Sequence, residues 1–307
     1  MASSASYVDL LESGELSRRV SAAYEILSAC TLCPRDCGVD RTSGAVGLCG
    51  VGELPMVSSY GPHFGEEPPL VGANGSGTIF MTGCNLQCIY CQNYDISQLR
   101  RGEIVSVGEL AQMMLSLQAR GCHNINLVTP THQVPQILAD LEIAAKQRLH
   151  LPLVYNCGGY ESLDTLRLLD GIIDIYMPDM KYSDNQVGLE LSGVKNYWDH
   201  NRAAVEEMHR QVGVLQIAKD EDTGASIATR GLLVRHLVLP EGLSGTAEIV
   251  RFLAEEISRD TYINIMDQYR PCYRAVEHPV IGRRLSREEF NEAMALARAA
   301  GLWRFAH

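Results

Sequence analysis

The chain has 307 residues, 46% of them hydrophobic and 21% charged, which is enough to bury one large core with a small appendage and excludes intrinsic disorder for most of its length. Acidic residues outnumber basic ones by 37 to 26, a formal net charge of −11, which repels phosphate backbones and argues against nucleic acid as a partner. No run approaches the ~18 apolar residues of a membrane span, and the start, MASSASYVDLLESGELSRR, has acids where a leader peptide is apolar or basic, so a cytoplasmic protein with no membrane partner is expected.

Residues 7–29 carry Leu10, Leu11, Leu16, Val20, Tyr24 and Leu27 at helical spacing, predicting one or two amphipathic helices. Residues 33–77 are rich in Gly and Pro and read as loop. Beyond them, β-rich runs at 78–83, 124–130, 151–157, 173–180, 232–240 and 262–268 predict six buried strands. Runs with apolar residues three or four apart, at 106–121, 134–149, 161–171, 200–213 and 246–258, predict crossover helices between them. This alternation is the signature of an α/β fold with a parallel sheet covered by helices, either doubly wound or curled into a barrel. A hairpin turn is expected at Glu221–Gly224, and a last helix over 286–302 with Ser286 as N-cap and Glu289 completing a capping box. No internal repeat of solenoid period is present.

In a reducing compartment ten cysteines point to metal or catalytic thiols rather than disulfides. Cys122, Cys157 and Cys272 stand alone and read as core residues. Cys84, Cys88 and Cys91 follow the first predicted strand directly, at the sheet end where ligands bind. Three soft ligands leave one coordination position open for a reacting group, whereas a closed structural site takes four. On spacing alone, a zinc loop with a distant fourth ligand is the alternative.

The stretch GCNLQCIYCQNYD, with an aromatic residue just before the third cysteine, resembles the motif of the radical S-adenosylmethionine (radical SAM) superfamily, and the resemblance extends over 76 to about 275. It implies a partial TIM barrel, (β/α)6, over 73–307 with a C-terminal helix, which leaves residues 1–72 as an N-terminal helix and a four-cysteine extension. It implies that Cys84, Cys88 and Cys91 hold a 4Fe–4S cluster whose fourth iron chelates S-adenosylmethionine. Reductive cleavage of that ligand to a 5′-deoxyadenosyl radical would abstract a hydrogen atom from a substrate, with electrons from a low-potential donor such as flavodoxin or ferredoxin.

More closely, FMTGCNLQCIYCQNYDIS is similar to the glycyl-radical-enzyme activases typified by pyruvate formate-lyase activating enzyme. That likeness implies an oxidoreductase acting on a protein or peptide. It places Asn93 near S-adenosylmethionine, Tyr90 on its adenine, Lys181 facing its methionine carboxylate and Arg235 also near the ligand, two cations apt for an anion at low dielectric. Read alone, Lys181 and Arg235 are equally a surface ion pair.

The chain also departs from the branch. Where the family has Gly-Gly-Glu after its second strand, this sequence has VTPTHQ. There Thr129 is expected to bind through its hydroxyl and carbonyl, with His132 either replacing the acid or capping the next helix. The branch's monovalent cation site maps onto Asn156, Cys157, Met177 and Asp179, without its first acid. A histidine of the branch aligns near Tyr269.

Upstream, Cys30, Cys33, Cys37 and Cys49 form a closed set of four thiols in a Gly-rich stretch, suited to zinc or a second 4Fe–4S cluster. Two other readings remain open: radical modification of a small molecule or RNA, and a non-catalytic metal-binding or electron-transfer protein.

Overall fold

The computed structural model describes residues 5–221 and 223–306. The strands are β1 (Met56–His63), β2 (Ser76–Met81), β3 (Glu103–Ile104), β4 (Ile125–Val128), β5 (Leu153–Cys157), β6 (Ile175–Pro178), β7 (Gln216–Lys219), β8 (Ser226–Leu237), β9 (Tyr262–Met266) and β10 (Arg304–Phe305). They join in the order β10-β9-β8-β6-β5-β4-β2-β1-β3, with β7 paired to β8 off this path. β2, β4, β5, β6, β8 and β9 are parallel and match the six predicted strands. The two ends of the order do not meet, so this is the open, partial barrel of an α/β (β/α)6 fold.

Strand residues sort by face with a period of two. Ile79, Ile125, Leu127, Leu153, Tyr155 and Tyr176 pack beneath the helices, whereas Val154, Ile175, Met177 and Leu233 form a separate cluster on the opposite face. Burial on both faces is why these strands are near-continuous apolar runs. The predicted crossovers appear as helices Glu109–Ala119, Val134–Lys146, Leu163–Leu168, Tyr197–Val212 and Thr246–Phe252, the last extended by a wide turn at Leu253–Ile257. Helix Arg287–Ala299 has the expected capping box: the Ser286 hydroxyl accepts from the Glu289 N–H, and the Glu289 carboxylate accepts from the Ser286 N–H. β7 and β8 form the expected hairpin, and Asp222 of its turn lies outside the described residues.

The amino-terminal helices Tyr7–Glu12 and Glu15–Glu25 bury Tyr7, Leu16 and Ala23 and pack against helix Val134–Lys146. Ser6 anchors their start at the beginning of β6, donating its hydroxyl to Asp174 at 2.7 Å.

The expectation of loop over 33–77 is corrected. Met56–His63 is a strand antiparallel to β2, and Pro68–Val71 is a helical turn. β3 pairs only with Met56 and Val57, so Gly61 and Pro62 sit where that side of β1 needs no ladder bonds and proline is tolerated. Leu70, from the turn, is fully buried among Val154, Ile175, Met177 and Leu233, filling the inner face of the sheet. A further helix not predicted, Asn185–Ser192, starts at Asp184, whose carboxylate accepts from the N–H groups of Gln186 and Val187, and ends at Gly193 in a left-handed conformation.

Candidate active site at the carboxyl ends of the strands

β2 ends at Met81, and the chain turns through Gly83 at φ 84. A Cβ there would overlap the carbonyl oxygen of Cys49, so only glycine fits. The loop that follows carries Cys84, Cys88 and Cys91, and each sulfur has a hydrogen-bonding neighbour. The Leu86 N–H donates to Cys84 Sγ at 3.3 Å, Ser192 Oγ lies 3.0 Å from Cys88 Sγ, and Ser97 Oγ lies 3.2 Å from Cys91 Sγ. Burial raises the Cys84 and Cys88 thiols above their usual range, so a cationic partner is needed to hold them as thiolates.

The three cysteines line one cavity of about 250 Å³ together with Asn93, Thr129, Asn156, Asp179, Lys181 and Arg235. Every parallel strand from β2 to β9 delivers a lining residue from its carboxyl end. An isolated parallel bridge joins Asp179 to Arg235 and sets their side chains together. Asp179 accepts from Lys181 Nζ at 2.6 Å and from Arg235 Nε at 3.0 Å, Arg235 Nη2 reaches Asn156 Oδ1 at 2.7 Å, and Glu66 lies 3.8 Å from Arg235 Nη1. Burial opposes ionisation of Asp179, yet Arg235 and Lys181 outweigh it and hold the carboxyl below its usual range. Burial likewise opposes the charges on Lys181 and Arg235, and Asp179 reverses the balance and raises both. Burial pushes Glu66 up. Among the cavity-lining residues two cations face one carboxylate, and Glu66 stands against Arg235 from outside the lining.

The ion pair expected of Lys181 and Arg235 therefore exists, but inside the cavity and shared through Asp179. Tyr90 lines the cavity with its ring edge-on to Tyr182 and Tyr269, and its hydroxyl meets that of Tyr182, which continues to Ser192 at 2.8 Å. Thr129 lines the cavity at φ 60. His132 does not line it: its Nε2 lies 2.8 Å from the carbonyl of Thr82, and burial lowers its pKa to about 4, so the neutral ring donates there. Of the mapped cation ligands, Met177 packs in the inner apolar cluster and Asn156 and Asp179 are engaged by Arg235. Tyr269 lies outside the lining, its hydroxyl donating to the Ile281 carbonyl at 2.6 Å.

Of the lone cysteines, Cys122 is core as expected, Cys157 is buried yet lines the cavity, and Cys272 is only half-buried in the loop after β9. Ser97, Ser192 and Glu66 escaped the sequence reading. Ser192 meets Cys88 across 104 residues, with no local signal to join them.

The donor set fits the cofactors that the motif implies: three soft ligands open to one cavity, a hydrogen-bonding group at each sulfur, and two cations apt for a carboxylate. Among the described residues no three His, Cys, Asp or Glu side chains gather round the position of a single ion, and a 4Fe–4S cube takes each thiolate on its own iron.

The sequence model of the Radical SAM superfamily matches residues 78–218. The chain is 33% identical over 292 residues, covering 92% of its length, to the uncharacterized protein MJ0674 of Methanocaldococcus jannaschii, of which it spans 78%. Similar solved structures include a radical SAM methyltransferase from Sphaerobacter thermophilus (14% identity, TM-score 0.45, 74% of this chain and 66% of that one). They also include HydG, a maturase of the [FeFe]-hydrogenase (13%, TM-score 0.49, 73% and 49%), and methylornithine synthase PylB (15%, TM-score 0.46, 74% and 70%). The chain thus spans less than two thirds of the first two of these. With its cysteine motif at the end of β2, inside the matched segment, the chain belongs to the radical SAM superfamily, whose cofactors are a 4Fe–4S cluster and S-adenosylmethionine.

Proposed function

We propose that this radical SAM enzyme acts on a peptide segment of a partner protein, as the glycyl-radical-enzyme activases do. The observation that carries the reading is the composition of the cavity wall. Gln92, Asn93, Gln98, Asn156 and Gln268 line it with five primary amides, each able to donate and accept as a peptide backbone does. Its cations, Lys181 and Arg235, are both paired to Asp179. With Asp179 and Glu66 beside them and a methionine carboxylate to hold, they leave no free cation for a phosphorylated metabolite. When bound, the cluster and S-adenosylmethionine supply one-electron cleavage of a sulfur–carbon bond and a hydrogen-abstracting carbon radical. The chain's own part is to hold Cys84, Cys88 and Cys91 on one loop, to orient the carboxylate with Lys181 and Arg235, and to present amides to the entering segment.

Next in the chain to the lining residue Asn93, the ring of Tyr94 stacks on that of Tyr273 at 4.9 Å with Arg274 over Tyr273, an aromatic pair that suits an extended peptide. A low-potential donor such as flavodoxin or ferredoxin would reduce the cluster. Ten cysteines without a disulfide fit a reducing cytoplasm, and no helix among the described residues is long and apolar enough to cross a membrane.

The test is to incubate reduced enzyme with S-adenosylmethionine and candidate partner proteins and to look for a protein-based radical by electron paramagnetic resonance. A doublet glycyl signal is the expected result. Turnover of a small metabolite with no protein present would overturn the peptide reading.

A further inference from the structure

Arg41 is 1% exposed and heads the fully buried side chains by size. Its Nε and Nη2 donate to the Gly52 carbonyl at 3.1 and 2.6 Å, and its Nη1 to the His132 carbonyl at 2.8 Å, with Cys30 Sγ 3.9 Å from Nη1. Among the described residues these are its side-chain partners, and no carboxylate pairs with it. Carbonyl dipoles satisfy guanidinium N–H groups, but a permanent charge sealed from water also needs an anion.

The groups that can supply one are sulfurs. The Asp36 N–H donates to the Cys33 carbonyl at 3.0 Å, closing the turn that carries the chain from Cys33 to Cys37. A Cβ on Gly47 would stand 3.0 Å from Cys37 Sγ, so that sulfur abuts the loop carrying Cys49. The backbone closes the same knot: the Cys30 N–H donates to the Val39 carbonyl at 3.0 Å, and the Gly38 N–H to the Cys30 carbonyl at 3.1 Å. Apolar support is slight, a cluster of Leu27, Cys30 and Leu32. Such a segment needs a staple, and four thiolates on an iron–sulfur cluster are both a staple and an anion, because their charge exceeds that of the iron–sulfide core.

The knot is also joined to the loop of Cys84. Arg41 holds the carbonyl of His132, and the His132 ring and the Gln133 amide both donate to the carbonyl of Thr82, two residues before Cys84. Arg35 reaches the carbonyls of Asn85 and Gly193, and Cys49 seats its own carbonyl against Gly83.

We propose that Cys30, Cys33, Cys37 and Cys49 hold a 4Fe–4S cluster, since no three of them gather round the position of a single ion, that Arg41 is its built-in countercharge, and that the centre braces the loop bearing Cys84. The inference stands apart from the peptide-substrate reading, because its test uses a chain lacking Cys84, Cys88 and Cys91. The full-length Cys84→Ala/Cys88→Ala/Cys91→Ala variant, purified without oxygen, should retain about four irons per chain by elemental analysis, and one zinc in their place would overturn the cluster. A metal-free chain that still unfolds cooperatively would overturn the centre.

In the same background, Arg41→Met should release metal to a chelator about tenfold faster, the equivalent of about 1.4 kcal/mol. Arg41→Lys, which keeps the charge and loses the fork, should restore most of the retention. It is read in parallel because an apolar residue at this buried position could cost the fold. Equal release from the parent chain and from both substituted chains would overturn the countercharge, as would release from the lysine variant as fast as from the methionine one.

Discussion

Ser192 and Ser97 each place a hydroxyl against a sulfur that the cluster needs, at 3.0 and 3.2 Å. Hydrogen bonds to cluster sulfurs stabilise the more negative, reduced state and raise the potential. Ser192→Ala should therefore lower the cluster's reduction potential by tens of millivolts, on the scale of about 59 mV per tenfold change in a one-electron equilibrium. Potentiometric titration followed by electron paramagnetic resonance reads it, and an unchanged potential would leave Ser192 with a packing role. Lys181 and Arg235 share Asp179, yet their removal should differ in effect. In Lys181→Ala, Arg235 still neutralises Asp179 and the wall loses one of its two cations, so S-adenosylmethionine should bind more weakly by roughly 1.5 to 3 kcal/mol with stability nearly unchanged. In Arg235→Ala, Asp179 keeps only Lys181 and Glu66 keeps no cation, so binding and thermal stability should both fall. Calorimetric affinity together with melting temperature checks the pair, and a Lys181→Ala chain that binds as wild type would remove that lysine from the site.

At the scale of elements, the junction after β5 stores a buried carboxylate. Glu161 is 1% exposed and accepts from the Thr131 hydroxyl at 2.8 Å and the Tyr155 hydroxyl at 2.9 Å. Burial raises its pKa from 4.5 to about 7, against the pull of those hydroxyls and of Cys157. Between those two values the folded chain holds a proton that the unfolded chain has lost, so this residue's contribution to stability falls as pH rises through the window. Glu161→Gln should gain on wild type by about 3 kcal/mol between pH 4.5 and pH 7, judged from denaturant unfolding. Parallel curves would mean the carboxylate is ionised in the fold.

The same elements show what was legible in sequence. Six strands could be read because burial on two faces leaves unbroken apolar runs, and the Cys84 loop because its ligands lie within eight residues. β1 was missed because an antiparallel strand with a free edge admits Gly61 and Pro62. Ser192, Glu66 and Arg41 were missed because topology, not spacing, brings them to Cys88, Arg235 and Cys30, and a lone serine or arginine carries no periodic signal.

Across the whole molecule, the amino-terminal segment spans the sheet from one end to the other. Ser6 is tied to Asp174 at the start of β6, helices Tyr7–Glu12 and Glu15–Glu25 lie against Val134–Lys146, and Leu32 accepts from the Thr165 hydroxyl at 3.0 Å before the four-cysteine knot meets Gly83. The open barrel thus has its reactive loop held from inside by β2 and from outside by this segment. All of these arrangements serve one central claim, that the cavity at the strands' carboxyl ends performs radical SAM chemistry with Cys84, Cys88 and Cys91 as cluster ligands. The most direct test is 5′-deoxyadenosine formation from S-adenosylmethionine by anaerobically reconstituted, chemically reduced protein. Wild type should form it, and the Cys84→Ala/Cys88→Ala/Cys91→Ala variant should form none. Formation by the triple variant, or none by wild type carrying its full iron, would contradict the account.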